Sequence, residues 1–437
     1  MKDFLLNKFL LPLLALVARR ILKKNRPLII GVTGSVGKSS TKEAIYTVLK
    51  AKFRVRRSLG NLNNEIGLPL TIISDLEPKK NPISWLKVIK SGFLGFFRSQ
   101  KNYPEILILE MAVDRPKDMD YLISIASPEI AVVTGIGISH LEFFRKTKNI
   151  LKEKIKIAKN LGKNGLLVLN YDDPLLRPLK KNSGKPTVAY GFRKGADVLA
   201  KDLKIGYNKE LGEGISLAKG SSFQISYQTV IMPIRLPHII SKAQIYSALA
   251  GIVVGMHLGM NLVEIAATLK NFRPLPGRMN FLRGKNGNLI IDDTYNAAPA
   301  SVRSALEVLA LIKSRKKIVI LGDMLELGSI SQKEHSALAE NLASVADKII
   351  LVGKRTLDTH KKLIALGFTR DKILHFRLST DASKKIGSLV GKGSVILIKG
   401  SQGLRMEKIA EKLVNEKELK KLPRQDKSWK NKTVREV

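Results

Sequence analysis

Short apolar runs, each stopped by a glycine or a polar residue, recur along the chain, and stretches of helical period lie between them. The runs are residues 28–32, 106–109, 130–133 and 166–169 in the first half and 289–291, 318–321, 349–352 and 395–398 in the second. Each is rich in Ile, Leu and Val, as a strand buried on both faces must be. Residues 42–49, 150–161, 243–256 and 301–312 repeat apolar side chains three and four positions apart, the spacing of a helix with one buried face. Strands alternating with helices predict parallel βαβ units and an α/β fold. Ligands of such sheets bind at the carboxyl ends of the strands. The first-half strands end at a glycine-rich loop and at Glu110, Thr134 and Asn170; the second-half strands run into Asp292 and Asp293, Gly322 and Asp323, Gly353, and Lys399.

The alternation breaks in two places. Residues 187–236 lose helical period, gather glycines and then alternate, which predicts a small antiparallel β insertion. Residues 271–278, NFRPLPGR, hold two prolines and a glycine and read as an interdomain linker. The predicted organisation is a hydrophobic and basic N-terminal helix over 1–27, a central domain over 28–272 and a C-terminal α/β domain over 273–437. The charged tail after Asn415 is expected to be frayed and solvated.

The sharpest chemical signal is residues 28–41, LIIGVTGSVGKSST. Strand, glycine loop and helix follow one another there, the layout of a phosphate-binding loop. Gly34 and Gly37 let backbone N–H groups turn toward an anion, and the helix start adds its dipole. Lys38 is placed to reach β- and γ-phosphates, and Ser39, followed by Ser40, to offer a hydroxyl to Mg²⁺. The general motif has glycine where this chain has Val32, so the glycines are spaced G-x-x-G-x-x-G-K-S-S. ATP is the expected ligand.

Charge and composition refine this picture only modestly. Of 437 residues, 76 are Lys or Arg and 37 are Asp or Glu, a net charge of +39. Such an excess attracts nucleic acid, anionic lipid or phosphorylated substrates. The lysines are scattered singly and no aromatic–basic recognition module accompanies them, so no nucleic-acid partner is expected. The chain has no cysteine, which excludes disulfides and thiolate metal sites and suits a reducing cytoplasm.

Residues 4–18, FLLNKFLLPLLALVA, precede Arg19, Arg20, Lys23, Lys24 and Arg26. The stretch is shorter than the ~20 residues of a spanning helix. It reads either as an interfacial helix on an anionic membrane face or as a helix docked on the protein's own core. Residues 83–98, ISWLKVIKSGFLGFFR, pose the same choice. Peripheral membrane contact through 1–26 and 83–98 is therefore one of two readings.

Ser39 and Glu110, a hydroxyl and a carboxylate at strand ends, suit one Mg²⁺ held on ATP. His140, in TGIGISHLEFF, follows another strand end and is a candidate for a second ion. Lys154, in KEKIKIAK, reads by itself as part of a solvated basic helix face.

Taken together, GVTGSVGKSSTKE, GNLNNEIGLPLT, the strand ending in Glu110, VVTGIGISHLE, VLNYDDP, PGR, IDDTYNAAP, VILGDMLELG and IKGSQGLRME occur in that order. The set resembles the Mur ligase family over about residues 28–415, and within it the branch that joins D-alanyl-D-alanine to UDP-N-acetylmuramoyl-tripeptide. The resemblance implies a central ATPase domain closed over by a Rossmann-like C-terminal domain. It also implies ATP-dependent amide ligation through an acyl phosphate, in the cytoplasm or at the inner membrane face, serving peptidoglycan synthesis and so cell shape and division. A carboxylate–amine pair of another kind, polyglutamate-type or lipid-linked, is the alternative within the same superfamily.

By the same resemblance, Lys38 contacts phosphate, Ser39 and Glu110 hold the first Mg²⁺, and His140 and a carbamylated Lys154 hold the second. Asn63 and Asn64 lie near the phosphates, and Arg278 and Asp293 contact the nucleotide from the C-terminal domain. Gln244 stands where the family places an adenine-contacting asparagine. Asp323, Glu326, Lys399 and Ser401 line the side of the incoming amine. The family's N-terminal uridine-nucleotide-binding domain is expected to be missing, since about 27 residues precede the loop.

Overall fold

The computed structural model describes residues 10–60, 62–74, 102–138, 141–144, 146–207, 218–314, 316–426 and 429. His140, the stretch 83–98, and the first nine residues lie outside them.

Fifteen strands are described, in two sheets. The first sheet has the order β2-β3-β1-β4-β5-β6-β7-β8-β9. Its strands are β1 Leu28–Thr33, β2 Val55–Arg57, β3 Ile106–Glu110, β4 Ile130–Val133, β5 Leu166–Asn170, β6 Thr187–Gly191, β7 Val198–Tyr207, β8 Ala218–Tyr227 and β9 Val230–Leu236. From β2 to β7 all pairs are parallel, and only β7–β8 and β8–β9 are antiparallel. The expected insertion is thus the far edge of the main sheet, and its first strand, β6, continues the parallel run.

Each side of this sheet is covered. On one side the helix Lys38–Leu49 packs Ala44, Ile45, Val48 and Leu49 into a cluster with Ala248 and Ile252 of the helix Lys242–His257. On the other, the helix Leu11–Asn25 contributes Leu14, Ala15, Ala18 and Ile21, three and four residues apart, to a cluster with Leu68, Leu107 and Leu122. Arg19 fastens it by donating to the Ser124 carbonyl and hydroxyl, both at 3.0 Å. For residues 11–25 the docked-helix reading therefore holds for one face. The opposite face leaves Leu13 and Leu16 49% and 46% exposed, with Arg20 and Lys23 further along. Among the described residues no helix is long and apolar enough to cross a membrane.

The second sheet has the order β10-β11-β15-β12-β13-β14. It comprises β10 Asn280–Arg283, β11 Leu289–Asp293, β12 Lys317–Gly322, β13 Lys348–Val352, β14 Ile373–Phe376 and β15 Val395–Lys399, all parallel except β10 with β11. Apolar clusters fill both of its faces.

Two sequence expectations need correction. The helix predicted over 150–161 is an α-helix, Thr147–Lys154, that tightens into a 3₁₀ turn, Ile155–Ala158, immediately after Lys154. The tail after Asn415 is not frayed as far as residue 426. Asn415 donates to the Arg283 carbonyl at 3.0 Å, a 3₁₀ helix spans Glu416–Lys421, and Leu422 is buried in the second sheet's outer cluster. Its charges misled the reading because one of them, Arg424, is paired inside rather than solvated.

Candidate active site

The glycine loop is shaped by close approach to β4. Gly34 has φ +148, and a Cβ there would lie 2.0 Å from the Thr134 hydroxyl oxygen, so no other residue fits. Thr134 in turn donates to the Val36 carbonyl at 2.6 Å, and Ser35 N–H donates to the Gly135 carbonyl at 2.8 Å. Gly37 takes φ +88 at the N-cap of the helix Lys38–Leu49, which no side chain caps. The first N–H groups of that helix are left for an anion, as a phosphate cradle requires. Val32 lies in β1 and is fully buried, which is why the loop turns at Gly34 rather than two residues earlier.

Across this loop stands Glu110, 1% exposed at the end of β3. Its Oε1 accepts from the Ser39 hydroxyl and from the Asn63 amide, both at 3.1 Å. Its Oε2 lies 3.2 Å from Lys42 Nζ, which is itself 2% exposed. Burial opposes the charge on Glu110, but Lys42, Lys38 and the Asn63 hydrogen bond outweigh it and hold the carboxyl below its ordinary value. Lys38 Nζ donates to the Gly34 carbonyl at 2.8 Å. Burial lowers its pKa, with Glu110 pulling the other way. Ser40 follows in the first helical turn. Asn64 does not face the cluster: its Oδ1 accepts from Gly67 N–H at 3.0 Å and starts the next helix.

Lys154 is 1% exposed, and its Nζ makes no hydrogen bond among the described residues. Burial, reinforced by Lys38, depresses its pKa far below the ordinary lysine value, with Asp114 and Glu153 opposing. Glu153 is occupied elsewhere, accepting from Met119 N–H at 3.1 Å and Lys156 Nζ at 2.7 Å. The solvated-face reading of Lys154 is thereby replaced by a buried amine beside the phosphate loop, its neutral form favoured. The helix-to-3₁₀ change at this residue turns it inward, whereas Lys156 faces Asp120.

The C-terminal domain closes the site from the linker. Arg278 is near enough to Lys38, Glu110 and Lys399 to act on the charge of each. Its guanidinium carbon is 4.0 Å from the Tyr295 ring centroid, a cation–π distance. Its neighbours are tied down by two carboxylates: Asp292 accepts from Gly277 N–H at 2.9 Å and Asp293 from Met279 N–H at 3.1 Å. Gln244 donates to the Arg278 carbonyl at 2.9 Å, so it braces the linker. Asp293 pairs with Lys399 at 2.5 Å, joining two residues expected on opposite sides of the reaction. Burial lowers the Lys399 pKa, opposed by Asp293, and raises that of Asp292 to about 7.

On the amine side, Asp323 is buried and accepts from Thr356 N–H at 2.8 Å, so it organises the loop rather than facing solvent. Ser401 accepts from Leu325 N–H at 2.9 Å. Exposed Glu326, at φ +65, acts on Lys38 across the domain boundary. Sequence reading placed Asp292 at its strand end without a role, and missed Lys42, Arg424 and His335. Of these only Lys42 left a signal, one helical turn after Lys38 on the face turned to Glu110. His335 is fully buried and accepts from Met324 N–H at 3.0 Å, fixing the 322–328 loop.

Comparison with known proteins matches the Mur ligase middle domain to residues 32–81 and 92–255, and the Mur ligase glutamate ligase domain to residues 277–402. The UDP-N-acetylmuramoyl-tripeptide–D-alanyl-D-alanine ligase of Bacillus subtilis is 28% identical over 406 residues, covering 91% of this chain and 78% of that protein. The MurF ligase of Thermotoga maritima, solved in complex with ADP, superposes with a TM-score of 0.75 at 30% identity, over 94% of this chain and 84% of that one. The folylpolyglutamate synthase of Mycobacterium tuberculosis shares the fold at 15% identity, with a TM-score of 0.64.

Proposed function

The chain belongs to the Mur ligase family, and from that premise we propose that it joins D-alanyl-D-alanine to UDP-N-acetylmuramoyl-tripeptide at the expense of ATP, in peptidoglycan precursor synthesis. The observation that carries the reading is the convergence of Lys38, Ser39, Glu110 and Asn63 with Arg278 from the second domain, around a loop built for phosphate.

The tripeptide carboxylate attacks the γ-phosphorus of ATP; the bond to the bridging oxygen breaks and ADP leaves. A carboxylate is a poor acyl donor until its oxygen becomes part of such a leaving group. The dipeptide amine then attacks the acyl carbon, phosphate departs, and the nitrogen loses one proton. Both partners of the first step are anionic. Lys38 and the helix N-terminus offset that repulsion, and Arg278 adds charge from the opposite side. Closure by the C-terminal domain keeps water from the acyl phosphate.

Mg²⁺ fits the residues present. The Ser39 oxygen and Glu110 Oε1 lie 3.1 Å apart, so both can reach one ion from the same side. Among the described residues no three His, Asp or Glu side chains gather, so phosphate oxygens would complete the shell, as Mg²⁺ sites on nucleotides commonly do. When bound, the ion neutralises charge on the γ-phosphate. The buried Lys154 amine, without a hydrogen-bond partner among the described residues and with its neutral form favoured, fits carbamylation: nitrogen adds to CO₂, one proton leaves, and a buried cation-former becomes an anionic ligand. That carbamate and His140 would hold a second ion. Arg278 and Asp293 serve the nucleotide, and Gln244 holds Arg278 through its carbonyl; Asp323, Glu326, Lys399 and Ser401 shape the amine side, with Asn63 at the phosphate entrance and Asn64 starting the helix that follows it. The substrates put the reaction in the cytoplasm. Exposed Leu13 and Leu16 with Arg20 and Lys23 support a peripheral contact with the inner membrane face.

Phosphate release with ATP, UDP-N-acetylmuramoyl-tripeptide and D-alanyl-D-alanine, followed by the mass of the product, tests the proposal. Amide formation with this pair is expected. Turnover confined to another pair, such as glutamate on a polyglutamate chain, would overturn it.

A further inference from the structure

Beyond β15, and beyond the residues matched to the family's C-terminal domain, the chain runs back to Gly277, Thr294 and Tyr295, beside Arg278. Glu407 there is wholly buried between two guanidinium groups, Arg405 and Arg424. Arg424 spends its fork on three acceptors. Nη1 donates to Glu407 Oε2 at 2.9 Å and to the Thr294 carbonyl at 3.3 Å, and Nη2 donates to the Tyr295 carbonyl at 2.6 Å. Its guanidinium also lies 5.2 Å from the Tyr295 ring centroid and 5.5 Å from that of Trp429. Tyr295 is therefore held between Arg424 and Arg278, whose guanidinium carbon is 4.0 Å from the same ring. The preceding residue closes the other flank: a Cβ on Gly277 would lie 2.9 Å from Pro423 Cγ, and Tyr295 N–H donates to the Gly277 carbonyl at 3.0 Å.

We propose that residues 422–426, with Trp429, form a strap that fixes the placement of Arg278 through Tyr295, with Arg424 as the positioning residue for nucleotide binding. The inference rests on the reading of Arg278 as a nucleotide contact. Arg424 sits at φ +60, a conformation costly for a side-chain-bearing residue, so the backbone there is held by its partners. Only a planar fork can serve a carboxylate and two adjacent carbonyls at once. None of these contacts lies on the 322–328 loop or at Ser401, so the strap bears on ATP and not on the incoming amine.

The test uses the full chain, with ADP binding measured by calorimetry and turnover measured while ATP and D-alanyl-D-alanine are varied separately. Arg424→Ala should weaken ADP binding and raise KM for ATP by about tenfold, the worth of one good contact. The kcat and the KM for D-alanyl-D-alanine should stay within about threefold. Arg424→Lys, which keeps the charge on Glu407 but loses the fork, should recover part of the ADP affinity. Trp429→Ala should shift it in the same direction by less. If Arg424→Ala does not fold, the Lys and Trp429 variants carry the test. A wild-type chain that binds ADP, with variants that bind it equally well but melt lower, would overturn the strap alone. A wild-type chain that binds no ADP would overturn the nucleotide reading and the strap with it.

Discussion

Lys154 offers the most exacting test, because fold and function make opposite demands on it. Its amine is buried with no hydrogen-bond partner among the described residues, and burial depresses its pKa well below the ordinary lysine value, favouring the neutral form. Leaving a polar group unpaired inside a protein costs about 1–3 kcal/mol. Lys154→Met keeps the length and apolar body of the side chain and removes that cost. A domain of roughly 250 residues gains about 2 °C in melting temperature per kcal/mol, so the variant should melt about 2–6 °C higher in CO₂-free buffer at pH 7. The difference should shrink as pH rises. Between the lowered folded value and the ordinary lysine value of 10.5 the unfolded chain holds a proton that the folded chain has released. Wild-type stability therefore climbs by up to about 1.4 kcal/mol per pH unit until the unfolded lysine also deprotonates, whereas the variant lacks this slope. Bicarbonate should stabilise the wild type and leave the variant unmoved. Ligase turnover should be lost in the variant and partly restored by short carboxylic acids that imitate a carbamate. Calorimetric scans across pH, with and without bicarbonate, read all of this alongside the activity assay. A variant that melts lower than wild type would show that the amine has a partner, and a variant with normal turnover would remove Lys154 from the machinery.

Lys38→Ala should abolish product formation while the melting temperature stays near that of wild type; near-normal turnover would sink the phosphate-loop assignment. Lys42→Met strands a buried carboxylate and should cost about 3–5 kcal/mol. In the wild type the stabilisation from Glu110 is present above its unfolded value of 4.5 and is lost as pH falls through the lower folded value; without Lys42 burial pushes the carboxyl up instead, so acid relieves the stranded charge and the gap in melting temperature between variant and wild type should narrow as pH falls. Glu110→Gln should raise the Mg²⁺ concentration needed for half-maximal rate, and an unchanged Mg²⁺ dependence would take Glu110 out of the ion's shell. Replacing Leu13 and Leu16 with serine should reduce sedimentation with anionic vesicles without lowering stability, since both side chains are about half exposed; unchanged sedimentation would end the membrane proposal for this helix.

What the sequence revealed and what it hid divides along a physical line. The strands were legible because β1, β3, β4, β5, β11, β12, β13 and β15 are each buried over nearly their whole length, and a strand with two apolar neighbours has no solvent face to blur its pattern. The loop at Gly34 was legible because backbone contact leaves no alternative residue. Charged residues were not legible in the same way. Lys42, Lys154, Glu407 and Arg424 have the composition of a solvated surface, yet each side chain is nearly or wholly enclosed. Sequence periodicity reports which apolar faces are buried; it cannot report that a lysine at the end of a helix turns inward where the helix tightens. For Lys42, Glu407 and Arg424 the compensation is an ion pair formed with a residue 17 to 68 positions away, or nearer only in space. Lys154 has no such compensation, and that is the difference with a functional consequence. A buried pair is content without ligands, whereas an enclosed amine with no hydrogen-bond partner among the described residues is pushed toward the neutral base, the form able to add CO₂. The same burial that hides Lys154 from sequence reading is what gives it the chemistry proposed for it.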